Sequence, residues 1–107
     1  MALDAEAVKD AIAAGRVSWR LHALERMIER RIARADALAA IVDGEPIKEY
    51  LDDQPYPSAL YLGWSSGRPL HVVAALDVDA RRVYIITVYE PDEAHFELDL
   101  KTRRRER

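Results

Sequence analysis

The sequence predicts an α+β domain in which N-terminal helices pack on a four- or five-stranded antiparallel sheet. Three observations point there. Apolar residues recur with helical period through the first 44 residues, change to strand-like runs from residue 45 onward, and are then separated by turn residues rather than by further helices. A length of 107 residues suits one domain, divided into a helical part over 1–44, an antiparallel meander over 45–100 and a basic tail over 101–107.

The first helix is expected to start at Asp4, an N-cap residue, and to run to about Ala14 with Val8, Ala11 and Ile12 as its apolar stripe. Gly15 stands where a left-handed C-terminal cap belongs. Ser18 is then placed to cap a second helix ending near Arg30 or Arg31. At 100° per residue, Leu21, Leu24 and Ile28 fall within about 60° of one another, and His22, Arg26 and Arg30 form a stripe roughly opposite. The apolar stripe is expected to pack and the other to face outward. A third helix from about Ala35 to Val42 offers Leu38, Ile41 and Val42 and is closed by Gly44.

Strands are expected at Pro46–Tyr50, Ser58–Trp64, Pro69–Leu76 and Arg82–Glu90. Two prolines, Pro55 and Pro57, make the stretch after Tyr50 a loop. Ser65-Ser66-Gly67-Arg68 and Asp77-Val78-Asp79-Ala80-Arg81 are hairpin turns, so three of these strands form a meander. Leu70–Leu76 and Val83–Tyr89 are apolar at nearly every position, as central strands covered on part of both faces would be. Phe96, Leu98 and Leu100 alternate with charged residues, which predicts a last edge strand or an extended segment laid on the sheet.

Composition narrows the function. The chain has no cysteine, which removes disulfides, thiolate catalysis and Cys-based zinc sites. The N-terminal residues lack a basic start and a long apolar run, so a cytoplasmic protein without a membrane segment is expected. The formal charge is −3, against bulk coating of nucleic acid, but the charges are segregated. Six arginines lie between Arg16 and Arg34, and five basic residues, Arg103 and Arg104 among them, lie in the tail. Such local patches suit a few phosphates.

There is no glycine-rich phosphate loop, no G-x-S-x-G elbow and no H-E-x-x-H helix. His22, His71 and His95 remain as proton-transfer candidates, and no two of them share a metal-ligand spacing, so no metal and no other cofactor is expected. His22 stands in register with Arg26 and Arg30, pairing a group that titrates near neutrality with two that grip oxyanions. His71 interrupts an apolar strand, so its ring must either reach solvent or be buried with a hydrogen-bond partner. Tyr89 closes the next strand with its hydroxyl at the rim of the sheet. Trp19 and Trp64 read as packing residues.

Four phrases carry a resemblance: Ser18-x-x-x-His22-Ala23-x-x-Arg26-Met27-x-x-Arg30-x-Ile32, Gly44-Glu45-x-Ile47-x-x-Tyr50-x-Asp52-Asp53-x-Pro55-Tyr56-Pro57-Ser58, Gly67-Arg68-Pro69-Leu70-His71-Val72-Val73 and Ile86-Thr87-Val88-Tyr89-Glu90-Pro91. Together they resemble an uncharacterised bacterial domain-of-unknown-function family. That family is similar to the RelE-like toxin ribonucleases of toxin–antitoxin systems and is commonly encoded beside a zinc-finger or helix-turn-helix antitoxin. The resemblance implies a RelE-like toxin fold, helices on a small antiparallel sheet, and metal-independent RNA cleavage in which the 2′-hydroxyl attacks the adjacent phosphate. His22 and His71 would then exchange protons, and Tyr89 would donate a hydrogen bond or stack on a base. Arg26 and Arg30, with Arg103 and Arg104 of the tail, would hold phosphate. The implied partners are an antitoxin protein and RNA, free or on the ribosome. Arg31 stands where the family often has glycine, a position suited to left-handed backbone. The alternative is a non-catalytic protein- or nucleic-acid-binding module of the same fold.

Overall fold

The structure is a computed structural model and describes residues 3–91. In chain order the elements are α1 (Ala5–Ala13), β1 (Val17–Trp19), α2 (Leu21–Arg30), α3 (Arg34–Val42), β2 (Glu45–Tyr50), β3 (Ser58–Ser65), β4 (Arg68–Asp77) and β5 (Arg82–Tyr89). They form one five-stranded sheet in the order β1-β5-β4-β3-β2. The architecture is α+β as expected, but the sheet is mixed: β2 to β5 are antiparallel neighbours and β1 runs parallel to β5. The helical part is therefore interrupted by a strand. The expected strand around Phe96–Leu100 and the tail residues Arg103 and Arg104 lie outside the described residues. Among the described residues no helix is long and apolar enough to cross a membrane.

Asp4 caps α1 as expected, its carboxylate accepting from Ala7 N. Gly15 follows with φ 74°, and Arg16 N reaches back to Ala11 O at 2.9 Å. Ser18, however, does not cap α2. It is the middle of β1, whose outer residues Val17 and Trp19 turn to the core, and its hydroxyl accepts from Arg82 Nη1 at 3.0 Å. A valine and an aromatic around one small polar residue suit a strand, and hydrogen bonds from Val83 N to Arg16 O and from Arg20 N to Ile85 O, both 3.0 Å, fix the pairing. Arg20 alone connects β1 to α2, without a side-chain cap.

All three helices cover one face of the sheet. Val8 and Ala11 of α1, Ala23 and Met27 of α2, and Ala37, Ala40 and Ile41 of α3 join Val72, Ala74, Val83, Ile85 and Val88 in a single buried cluster. The alanines let the helices approach closely. A Cβ at Gly63 would lie 2.3 Å from Ala40 Cα, and one at Gly44 only 2.0 Å from Ala40 O. Gly44 is thus needed for space under α3. The helix ends at Asp43 in right-handed conformation, so the expected glycine cap is not what closes it. The residues between the helix-facing ones are also out of water: Ser58, Leu60, Leu62, His71 and Ala75 are buried on the second face. Trp64, expected to pack, is 58% exposed at the end of β3.

Candidate functional site

The rotation of α2 decides which side chains can act. Its buried residues are Ala23 and Met27, with Leu24 half-buried beside them. Leu21 and Ile28, expected in the packing face, are 71% and 79% exposed. The expectation fails because a count of large apolar residues favours Leu21, Leu24 and Ile28, whereas the exit from β1 turns small Ala23 and long Met27 toward β5. On the observed axis His22, Arg26 and Arg30 are not opposite the packing face. At 100° per residue they descend one flank and come within about 60° of it at Arg30. All three are exposed.

That flank ends in a hydrogen-bonded corner. Arg31 closes α2 in left-handed conformation, φ 56° and ψ 46°, and Ile32 N donates to Met27 O at 2.8 Å. A non-glycine residue so placed costs about 1 kcal/mol. The last carbonyls of the helix find their donor far along the chain. Arg68 at the start of β4 gives Nη2 to Arg30 O at 2.8 Å and Nη1 to Arg31 O at 3.1 Å, and it ion-pairs with Glu90 just after β5. This is charge-assisted capping of the negative end of the helix. On the adjoining wall Asp36 of α3 accepts from Ser65 Oγ and from Ala33 N. The Ser65 hydroxyl, then the Ala33 N–H and the charge of Arg68, hold the Asp36 carboxyl below its ordinary range. A cavity of about 250 Å³ opens between Arg31, Asp36, Ser65, Ser66 and Arg68.

His71 and Tyr89 are elsewhere. They are direct partners across β4 and β5, with His71 Nδ1 and Tyr89 Oη 3.1 Å apart and their rings meeting edge to face at 5.2 Å. Leu70, Val72 and Ala74 point to the helices, so His71, between Leu70 and Val72, points to the opposite face. It is fully buried. The structure thus brings His71 and Tyr89 together and sets the sheet between them and His22, Arg26 and Arg30. A site containing both histidines is not formed.

Sequence alone gives Arg68, Glu90, Asp36 and Ser65 no functional role, Ser65 and Arg68 standing only as turn residues. Arg68 and Glu90 stand inside two of the motif phrases, which is the signal that was available; Asp36 and Ser65 had none.

Fold and surface together define a small α+β domain with an exposed histidine–arginine flank leading to a polar corner between α2, α3 and β4. Over residues 19–90 the chain matches the family described as Domain of unknown function (DUF4258), and it belongs to that family. Neither curated proteins nor solved structures provide a match to the chain.

Proposed function

We propose that the domain is a toxin-like endoribonuclease of a bacterial toxin–antitoxin pair, meeting the RNA backbone along the flank of α2. The observation that carries this reading is the exposure of His22, Arg26 and Arg30 on one side of a rigidly anchored helix. Residues four apart on a helix rise about 6 Å, so the three side chains form a track rather than a point. Arg26 and Arg30 hold non-bridging phosphate oxygens and offset the charge that builds on them, and His22 moves the proton of the attacking 2′-hydroxyl or of the leaving 5′-oxygen. The reaction needs proton transfer and oxyanion stabilisation and no cofactor. His71 and Tyr89 cannot reach the same phosphate as His22 through the sheet, and in this reading they brace β4 against β5. An antitoxin protein would neutralise the domain by covering the flank.

A second reading is a binding module without catalysis. It is favoured by the burial of His71, which leaves the flank with one imidazole where two were expected. One experiment separates them: induced expression with growth followed at matched protein level for the wild type, His22→Ala and His71→Ala, and RNA ends examined for 2′,3′-cyclic phosphate. The nuclease reading expects arrest and cyclic-phosphate ends from the wild type and from any folded His71→Ala, and neither from His22→Ala. RNA retained by purified protein with no new ends selects the binding module. Absence of arrest, cleavage and RNA binding in the wild type overturns the nuclease and the nucleic-acid-binding module alike.

A further inference from the structure

At the other end of the sheet a cavity of about 350 Å³ lies between α1 and the turn that joins β4 to β5. One wall is apolar and small, made by Ala7, Ala11 and Ala14. Val78 stands across from it on the turn and is 61% exposed, an apolar side chain left facing water at the rim. Arg16 and Arg81 complete the lining together with Asp10.

The backbones of this cavity are held firmly. Arg16 donates its N–H to Ala11 O at 2.9 Å and accepts from Val83 N at 3.0 Å. Arg81, left-handed with φ 54°, donates its N–H to Val78 O, and Asp77 Oδ1 accepts from Ala80 N at 3.1 Å. The side chains are a different matter. Among the described residues neither guanidinium has a hydrogen-bond or ion-pair partner, and Asp10 is not paired with either, although the three groups line one cavity. Two unclaimed forks beside an apolar wall, with one carboxylate from the same helix as that wall, complement a carboxylate-bearing, partly apolar chain that also has N–H groups to donate. A phosphate–sugar backbone would gain from the arginines but meet Asp10 and an alanine wall. The volume is at the small end of the range for ligand pockets, about 300–1,000 Å³, and suits a few residues of a peptide.

We propose that this cavity docks a short acidic segment of a partner protein in which an apolar side chain is flanked by carboxylates. The apolar side chain enters between the alanines and Val78, the carboxylates meet Arg16 and Arg81, and a peptide N–H meets Asp10. None of these residues belongs to the flank of α2, so the proposal stands or falls separately from the nuclease reading.

The test is a fluorescence-anisotropy titration of the intact chain with a labelled Gly-Glu-Leu-Glu-Gly peptide, with Gly-Lys-Leu-Lys-Gly and Gly-Glu-Ser-Glu-Gly as controls. Saturable binding of the first peptide is expected, weakened at least about tenfold in the R16E/R81E double variant, in Val78→Asp and with the serine control, and unchanged in His22→Ala. Amide shifts on titration should centre on Ala11, Ala14 and Val78. All substituted positions are exposed, and circular dichroism checks that the variants fold. No saturation below about 1 mM overturns the proposal, as does equal binding by the double variant or by the serine peptide. So does R16E/R81E abolishing retention of a single-stranded RNA while leaving peptide binding intact, which would assign the cavity to nucleic acid.

Discussion

The two ends of the sheet treat arginine in opposite ways. Arg68, at the start of β4, spends its fork on Arg30 O, Arg31 O and Glu90. Arg16 and Arg81, beyond the other end of the same ten-residue strand and about 30 Å away, line a cavity in which neither guanidinium is bonded to an acceptor among the described residues. Identical side chains therefore serve two purposes. Where a guanidinium closes carbonyls that the backbone itself leaves open, it is part of the fold, and where its backbone is fixed but its fork is unclaimed, it is available to a partner. By the same criterion Arg26 and Arg30, exposed on α2, fall on the available side, although the carbonyl of Arg30 belongs to the closed corner.

Breaking the closed end should have the largest effects on stability. Gly63→Ala puts a methyl group into the backbone of α3 at Ala40, which cannot yield as a side-chain tip would. A loss of about 3 kcal/mol is expected, read as a drop in the urea midpoint at unchanged slope. Arg68→Ala should follow at about 2 kcal/mol, because two carbonyls lose a charged donor. The ion pair with Glu90 adds little to this, since both side chains are 36% exposed. Protection of the amides near Arg30–Ile32 against hydrogen exchange should fall more than that of β5. Equal losses across the molecule would mean that Arg68 does not act on the end of α2.

How much of this could be read from sequence differs by element for physical reasons. The meander was legible because its signals are local: strand-like runs broken by Gly67 at φ 78° and by the Asp77–Arg81 turn place β3, β4 and β5 within a residue or two of the expected Ser58–Trp64, Pro69–Leu76 and Arg82–Glu90. β1 was not, because three residues are too few to show a period and its parallel pairing joins positions more than sixty apart. The face of α2 misled because Ala23, the residue that lets the helix approach the sheet, weighs little in a count of apolar side chains. Arg68 was hidden in a different way. Its partners on α2 are main-chain carbonyls, which no side-chain pattern reveals. His71 was correctly singled out as needing either solvent or a buried partner, and Tyr89 is a partner it has.

Acid should open the same corner by a smaller amount. The Ser65 hydroxyl, the Ala33 N–H and the charge of Arg68 favour ionised Asp36, so its folded-state pKa is depressed. A depressed carboxyl contributes stability that is present above its unfolded value, about 3.9, and is lost as pH falls through the folded one. Asp36→Asn is expected to cost about 1 kcal/mol at neutral pH, the scale of a lost helix-terminal bond. The difference from wild type should shrink once pH drops below about 4. Urea midpoints of the two proteins measured from pH 7 downward provide the check, and a gap that widens in acid would reverse the sign assigned to Asp36.

The open end supplies the smallest effect and the sharpest contrast. If Arg16 and Arg81 are held only through their backbones, cutting both side chains back to alanine removes no protein contact that the fold uses. The stability of Arg16→Ala and of Arg81→Ala should then stay within about 0.5 kcal/mol of wild type, as for exposed positions without a structural partner. The double variant should be additive, because neither side chain shares a bond with the other. A loss comparable to that of Arg68→Ala would show that these arginines also belong to the fold, and the distinction between the two ends of the sheet would disappear.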